Sequence, residues 1–295
     1  MAIRRVLVTG ANKGIGFANV AAILAAHADV HVFLGSRDAA RGAAARERLP
    51  ADARERCTVV AIDVQSDESV AAAARAVAVA GPLYGALLNA GVAGASTAAT
   101  FDTNLLGVAR CVAAFAPLLT AQDARVAVVG SGVGPMFVQK CAAERVSWFR
   151  ETQSSLEAVL AEAARVRDLI AAGDDAGLAS GGYFARGEMG EATLAYWASK
   201  AFVNAAVQAL AVAHPTLRVN GASPGFIETD LVASLVGGSG KSAAEMGALP
   251  PERSAAVFER LLFGEVKTGH YFGSDAERSP VHLYRSPGSP PYDGE

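Results

Sequence analysis

Tyr196 and Lys200 are separated by four positions in a segment with helical periodicity, Tyr196-Trp-Ala-Ser-Lys200. Residues four apart share one face of a helix, so the two side chains are expected to lie side by side. A phenol has an ordinary pKa of about 10 and works as an acid at neutral pH only where a cation stabilises its anion. The pair therefore predicts proton delivery to a carbonyl oxygen. Because six tyrosines and five lysines in 295 residues give about 0.1 such pairs by chance, the context has to decide.

A glycine-rich turn follows the first apolar run of the chain. After Val6-Leu7-Val8 come Gly10, Gly14 and Gly16 in the spacing GxxxGxG. Glycines leave the backbone bare, so a pyrophosphate can approach it and lie at the N-terminus of the following helix. The turn predicts a dinucleotide site formed by Gly10, Asn12, Lys13, Gly14, Ile15 and Gly16.

A second glycine-rich stretch, residues 237–242, is similar to the end of a Walker A phosphate loop. That loop requires a glycine at position 235, where this chain has Leu235, and no strand is predicted before it. A flexible glycine-serine hinge is the better interpretation of this stretch.

The position that selects between NAD and NADP carries a cation. In NAD sites a carboxylate about 20 residues beyond the glycines binds the ribose 2′-hydroxyl. Here that region reads Gly35-Ser36-Arg37-Asp38. The Arg37 guanidinium suits a 2′-phosphate, Lys13 adds a second positive charge, and Asp38 is expected to cap the next helix. The alternative is a solvated surface arginine, but the two cations together favour NADPH/NADP+.

The elements that position these groups alternate between short β-branched runs and longer alanine-rich segments. This alternation predicts an α/β fold, a three-layer Rossmann-type doubly wound parallel sheet within a single domain spanning 1–295. Strands are expected at Arg4–Thr9, Val30–Leu34, Thr58–Ile62, Tyr84–Asn89, Arg125–Gly130, Leu217–Ala222 and His270–Phe272. Helices are expected near 15–27, 38–48, 66–80, 98–119 and 194–213.

Three later stretches depart from the alternation. Residues from about 135 to 190 contain no strand candidate, and Glu151–Ala172 has the pattern of an amphipathic helix, which predicts a helical insertion before the Tyr196 helix. Residues 231–264 combine a Gly/Ser-rich hinge with a helical patch, Ala255–Phe263, and are expected to form a substrate lid. The tail 279–295 is rich in Pro, Ser and Gly and is expected to be irregular.

Composition argues against several other classes of protein. With 52% hydrophobic and 19% charged residues, the chain is expected to be globular. Its net charge of −3 provides no basic surface for nucleic acid or anionic lipid. Three widely spaced cysteines indicate neither disulfides nor a metal site. Neither a leader nor an apolar run long enough for a membrane span is found, so a cytoplasmic protein is expected.

Taken in order, the motifs of this chain resemble those of the short-chain dehydrogenase/reductase family. The resemblance covers residues 5 to about 230, and seven ordered matches lie far beyond coincidence. The Asn-Lys pair in the glycine turn and the insertion before Tyr196 are most similar to the family's monomeric carbonyl reductase branch. The motifs are Thr9-Gly-Ala-Asn-Lys-Gly-Ile-Gly16, Asp63-Val64, Asn89-Ala90-Gly91, Asn104-Leu-Leu-Gly107, Ser131, Tyr196-xxx-Lys200 and Pro224-Gly225-Phe-Ile-Glu-Thr229.

The resemblance implies four catalytic residues. Ser131 would orient and polarise the substrate carbonyl, and Tyr196 would donate the proton. Lys200 would lower the pKa of Tyr196 and hold the nicotinamide ribose. Asn104 would anchor a water that relays protons to Lys200. The oxyanion that develops during hydride transfer would then meet the Ser131 and Tyr196 hydroxyls.

The resemblance also implies contacts to the cofactor. Asp63 would receive the adenine amino group, Asn89-Ala90-Gly91 would lie behind the adenosine ribose, and Thr229 would contact the carboxamide. Besides the glycine turn and Arg37, the implied cofactor residues are Asp63, Val64, Asn89, Ala90, Gly91, Tyr196, Lys200, Pro224, Gly225, Ile227 and Thr229.

The function implied is an NADPH-dependent reductase of aldehydes, ketones or quinones. It would be a monomer, because the insertion would cover the helices through which relatives dimerise. Two alternatives stay open: a biosynthetic alcohol dehydrogenase or ketone reductase for one specific substrate, and a non-catalytic NADP-sensing regulator. Two departures, Leu88 in place of the family's usual Asn and glycines on both sides of Ser131, remove no catalytic group.

Overall fold

The computed structural model describes residues 3–121, 123–151, 155–187, 189–232 and 242–294. Its sheet has eight strands: β1 (Arg4–Val8), β2 (Val30–Ser36), β3 (Cys57–Ala61), β4 (Gly85–Leu88), β5 (Arg125–Val129), β6 (Arg218–Ala222), β7 (Tyr271–Phe272) and β8 (Arg278–Ser279). Their order in space is β3-β2-β1-β4-β5-β6-β7-β8. Strands β1 to β7 run parallel, and β8 pairs antiparallel with β7.

Twelve α-helices of the described residues connect and flank the strands. They are α1 (Gly14–Ala26), α2 (Ala39–Glu47), α3 (Ala51–Glu55), α4 (Asp67–Ala78), α5 (Thr97–Phe101), α6 (Gly107–Phe115), α7 (Val133–Gln139), α8 (Ala143–Arg150), α9 (Leu156–Ala172), α10 (Asp175–Ser180), α11 (Glu191–Ala213) and α12 (Ala255–Phe263). A π-helical turn at Asp102–Leu106 joins α5 to α6. Short 3-10 turns lie at Ala116–Leu118, Ala244–Met246 and Pro251–Ser254.

The central strands are apolar on both faces because helices cover both sides of the sheet. Successive side chains of β1 point to opposite faces. Leu7 packs into the core shared with α4, α6 and α11, whereas Val6 and Val8 pack into the core shared with α1 and α12. This confirms the predicted three-layer, doubly wound parallel sheet.

The predicted helical insertion before the Tyr196 helix is present as α7 to α10, between β5 and α11. Helix α9 begins after Ser155, whose hydroxyl accepts a hydrogen bond from the Ala158 amide, and ends at Gly173 in the left-handed conformation. Its apolar stripe packs along α11 and α5. The fully buried members of that stripe are Val159, Ala163, Val166 and Ile170.

Part of the predicted lid at 231–264 is wrong. Helix α12 covers the sheet beside α1, and its side chains Val257, Phe258, Leu261 and Leu262 are fully buried in the core. The physical reason is that an amphipathic helix gives the same pattern whether it covers a sheet or a ligand. Residues 233–241, which include the glycine-serine hinge, lie outside the described residues.

The other boundaries differ in smaller ways. The helix predicted near 98–119 is interrupted by the π-helical turn, and helix α3 was not predicted. The tail, expected to be irregular, begins with strand β8. It is then fixed by Arg285, whose guanidinium donates to Asp275 Oδ2 at 2.7 Å and Oδ1 at 3.0 Å. In the described residues no helix is long and apolar enough to cross a membrane.

Candidate active site

The glycine turn lies at the carboxyl end of β1, in the shape its three glycines require. Gly10 and Gly14 have positive φ angles of 61° and 54°, a region that side chains other than glycine rarely adopt. A Cβ on Gly10 would lie 2.9 Å from the Ala90 Cα, and one on Gly16 would lie 2.6 Å from the Gly10 carbonyl oxygen. The sequence therefore needs glycine here for backbone conformation and for close packing.

Asn89 and Thr9 hold this turn against the end of β4. The Asn89 Nδ2 donates to the carbonyl oxygens of Thr9 and Gly10 at 2.9 and 3.1 Å. In return, the Thr9 hydroxyl oxygen accepts from the backbone amides of Asn89 and Ala90 at 3.0 and 3.1 Å. These bonds give Asn89 and Thr9 a structural role that the sequence did not assign to them.

The N-terminus of α1 fits a pyrophosphate group. Its first residue is Gly14, no side chain of the described residues caps it, and its first turn carries no carboxylate. The leading N–H groups of a helix have no partner within the helix and attract an anion. Thr229, which follows β6, reaches the same turn, because a Cβ on Gly14 would lie 3.3 Å from its methyl carbon.

The expected 2′-phosphate residues flank the turn. Arg37 directly follows β2 and is exposed. Asp38 caps α2 as predicted, accepting a hydrogen bond from the Arg41 amide at 3.0 Å. Lys13 forms an ion pair with Asp230, with Nζ and Oδ2 separated by 2.5 Å. The cation that was predicted to face the cofactor thus has a carboxylate partner in this arrangement.

The adenine-binding residues expected at the end of β3 lie next to the π-helical turn. The Asp63 Oδ1 accepts from the Gln65 amide at 3.1 Å. Val64 is buried against Gly107, where a Cβ would lie 2.9 Å from the Val64 Cγ2. The glycine of the Asn104-Leu-Leu-Gly107 motif is therefore explained by close packing.

Ser131, Tyr196 and Lys200 come together between β5 and α11. The Ser131 side chain, just after β5, lies beside the Tyr196 side chain on α11 and acts on its pKa. One turn further along α11, the Lys200 Nζ donates to the Val129 carbonyl oxygen at 2.7 Å and lies 5.9 Å from the centre of the Tyr196 ring. Tyr196 and Lys200 are both buried, so this site is a protected cluster of one phenol, one hydroxyl and one amine.

Burial controls the ionisation of both groups. It raises the pKa of Tyr196, and the neighbouring Ser131 side chain acts in the opposite direction. Burial also lowers the pKa of Lys200 to about 8. The expectation that Lys200 lowers the pKa of Tyr196 stays a prediction; in this arrangement the Lys200 Nζ donates to the Val129 carbonyl oxygen, and desolvation has the larger effect on the phenol.

Asn104 lies in the π-helical turn and is 1% exposed. Its Oδ1 accepts from the Val92 amide at 2.8 Å, and its Nδ2 donates to the Val92 carbonyl at 3.0 Å and to the Ser199 hydroxyl at 3.1 Å. Gly91 lies between it and the lysine, since a Cβ there would be 3.2 Å from the Asn104 Oδ1 and 3.8 Å from the Lys200 Nζ. Asn104 therefore connects the end of β4 to α11 beside the catalytic cluster.

The segment after β6 closes the site. Gly225 has a positive φ of 94°, which sets the turn after Pro224. Ile227 is fully buried and forms a bridge with Leu249. The sequence-predicted residues Pro224, Gly225, Ile227 and Thr229 thus run along the carboxyl edge of the sheet to the glycine turn.

Two tyrosines beside this site were missed. The Tyr271 side chain is buried on β7 beside Ser223, and burial raises its pKa. Tyr284, in the tail, packs against Gly132, where a Cβ would lie 2.8 Å from the tyrosine Cε2. No local signal identifies either residue, because their positions depend on how the last strands and the tail fold back over β5 and β6.

Comparisons with known proteins agree with this fold. The family model "short chain dehydrogenase" matches residues 4–143. The short-chain dehydrogenase anuI of Penicillium roqueforti is 29% identical over 277 residues, covering 88% of this chain and 92% of the relative. These two matches support the resemblance of this chain to the short-chain dehydrogenase/reductase family.

Solved structures share the fold at low sequence identity. Salutaridine reductase from Papaver somniferum superposes with a TM-score of 0.73 and 21% identity, covering 91% of this chain and 99% of that one. Menthone neomenthol reductase from Mentha piperita gives 0.68 and 23%, covering 93% and 99%. The NADPH-bound carbonyl reductase from chicken fatty liver gives 0.64 and 20%, covering 95% and 100%.

Proposed function

We propose that this protein is an NADPH-dependent reductase of aldehydes, ketones or quinones, in the manner of a carbonyl reductase, and that it acts as a monomer. The observation that carries the proposal is the placement of the Ser131 and Tyr196 side chains next to each other, beside the buried Lys200. Two adjacent hydroxyls give a carbonyl oxygen two donors at one place, and one of them can deliver a proton.

Ser131, Tyr196 and Lys200 have distinct roles in this proposal. Ser131 holds the substrate carbonyl oxygen against the Tyr196 hydroxyl, and Tyr196 delivers the proton to that oxygen. Lys200, held at the Val129 carbonyl, places a positive charge near the phenolate that remains. The burial of Tyr196 excludes water, which strengthens each of these interactions. NADPH, when bound, supplies the hydride.

The proposed preference for NADPH over NADH rests on the positive charge of Arg37. Gly10, Gly14 and Gly16 together with the N-terminus of α1, which no described side chain caps, would hold the pyrophosphate, and Arg37 would hold the 2′-phosphate. Arg37 stands where NAD-specific sites carry a carboxylate, and it is exposed to solvent and accessible to a ligand. Two structural neighbours are described as bound to NADPH and to 5-hydroxy-NADP.

The test is turnover of a substrate panel. Purified protein is incubated with NADPH and with menadione, isatin, aromatic aldehydes and cyclic ketones, with NADH as the matched control. We expect oxidation of NADPH by several members of the panel. In Arg37→Glu, we expect NADPH binding to weaken by about 10- to 100-fold and NADH binding to change little. Equal losses for both cofactors would reject the role of Arg37.

A biosynthetic role is the second candidate. Two of the structural neighbours are named for one defined ketone each, salutaridine and menthone. Turnover of a single member of the panel, or of cyclic ketones alone, would favour this role. NADPH binding without turnover of any carbonyl compound would instead favour a cofactor-sensing regulator and overturn the reductase proposal.

A further inference from the structure

A cavity of about 380 Å³ lies between α11, β7, β8 and the tail. Gln208, which lines it, is twelve residues beyond Tyr196 on α11, about 18 Å along the helix axis. This part of the cavity lies far from the catalytic cluster, and Tyr271 lines the cavity on the side nearer to it. Its size is within the range of pockets that hold small metabolites.

The lining of this cavity is basic. It includes Arg150 at the end of α8, Arg278 on β8, and two histidines, His270 and His282. Among the described residues that line it there is no Asp or Glu side chain. The ion pairs found in the described chain include neither arginine.

Burial and neighbouring cations both lower the pKa of the two histidines. Burial lowers the pKa of His282, and the Arg150 charge lowers it further. Burial, Arg278 and Lys267 lower the pKa of His270 in the same way. The cavity thus has a positive potential even with both imidazoles neutral, and each neutral imidazole has one N–H to donate.

The Arg278 guanidinium is held in place by the tail. It lies over the Tyr292 ring at 5.2 Å, and its Nη1 donates to the Asp293 carbonyl oxygen at 3.2 Å. The His282 ring packs edge-on against the same tyrosine at 5.9 Å. A positioned guanidinium keeps several N–H groups for a ligand and loses little entropy when it binds one.

We propose that this cavity binds the phosphate group of a small metabolite. Two arginines and two histidines line this space, and none of its described lining residues is Asp or Glu, so the donor set suits a doubly charged oxyanion. A monocarboxylate would engage one fork and leave the second cation unmatched. This site is independent of the proposed reductase activity, because it shares none of the catalytic residues.

Inorganic phosphate is the probe for this site. The full chain is titrated with sodium phosphate against sodium chloride of equal ionic strength, and the ring signals of His270 and His282 are followed by NMR at constant pH. The two signals are assigned with His270→Gln and His282→Gln. We expect both signals to shift with one common, saturating midpoint. Because the histidines are local reporters, phosphate bound near Arg37 does not produce this response.

Matched variants decide the outcome. Arg150→Gln is expected to weaken phosphate binding about tenfold, and Arg278→Lys is expected to weaken it while keeping the charge. Arg75→Gln, at an exposed arginine of α4, is the control and should leave the midpoint unchanged. Shifts that never saturate, or an equal loss in Arg75→Gln, would overturn the proposal. Circular dichroism of each variant establishes that it is folded.

Discussion

The hydroxyl is the only group that Tyr196→Phe removes, so this variant isolates the proton donor. We expect kcat to fall by about 10²- to 10⁴-fold, the usual contribution of a positioned acid. NADPH affinity should stay within about twofold, because the phenyl ring keeps its packing beside Lys200. Fluorescence titration gives the affinity and stopped-flow absorbance the rate. A variant with the turnover of the wild type would reject Tyr196 as the donor.

Because Lys200 is buried, we expect the free energy of unfolding to increase as the pH is raised above neutral. Its folded pKa of about 8 lies below the ordinary lysine value of about 10.4. Between these two pH values the unfolded chain binds a proton that the folded chain has released, so stability increases with pH. The wild type should therefore gain about 2 kcal/mol relative to Lys200→Met between about pH 7 and about pH 9.5. Urea unfolding of both proteins at each pH measures this difference, and parallel pH profiles would contradict it.

The glycine turn and the segment after β6 are connected by the Lys13–Asp230 ion pair, whose side chains are 62% and 79% exposed. Exposed pairs contribute little to stability. In Asp230→Asn, Lys13 becomes available for the 2′-phosphate, and we expect NADPH to bind about two- to fivefold more tightly. NADH should bind as before. Glu228→Gln, two residues away and also exposed, is the control, and an equal effect in both variants would contradict the prediction.

Element boundaries could be predicted from the sequence where local pattern decides them. Strands β1, β2 and β5 follow from β-branched runs, and the cap of α2 follows from Asp38. The π-helical turn could not be predicted, because Asn104 is held there by partners as remote as Ser199. The mistaken lid has a similar cause, since the apolar stripe of α12 does not reveal which surface it covers. For the candidate site, the sequence predicted which residues take part and their order along the chain. It could not predict the direction of the pKa shifts of Tyr196 and Lys200, because these depend on how deeply the fold buries each group.

The tail begins with strand β8, which the sequence did not predict, and it places Tyr284 beside Gly132 at the catalytic site. The Arg285–Asp275 pair fixes it, with side chains 7% and 19% exposed. Because Tyr284 packs against Gly132, next to Ser131, we expect Tyr284→Ala to raise KM for bulky carbonyl substrates several-fold and to leave NADPH affinity unchanged. Tyr292→Ala, in the same tail, is the control. A loss of NADPH affinity in Tyr284→Ala would show that the tail supports the cofactor site instead.

At the scale of the whole molecule, the insertion changes which surfaces are available to a partner. Helix α9 packs along α11 and α5, so the face of α11 that carries Phe202 is enclosed within the chain. Glu162 joins the parts of the insertion: its Oε1 accepts from the Tyr183 hydroxyl at 2.7 Å and pairs with Arg165 at 2.8 Å and Arg145 at 3.2 Å. A carboxylate with three donors, partly buried, is a stronger connection than a single surface pair.

This arrangement predicts a monomer. Sedimentation equilibrium should give a single species of 30.1 kDa that does not change with concentration. Glu162→Ala, which leaves Tyr183 and two arginines without their acceptor, should lower the unfolding free energy by about 2–4 kcal/mol. If α9 is what excludes a partner, self-association should increase in this variant before global unfolding. A wild type that sediments at twice the chain mass would show that the insertion forms a dimer interface and does not block one.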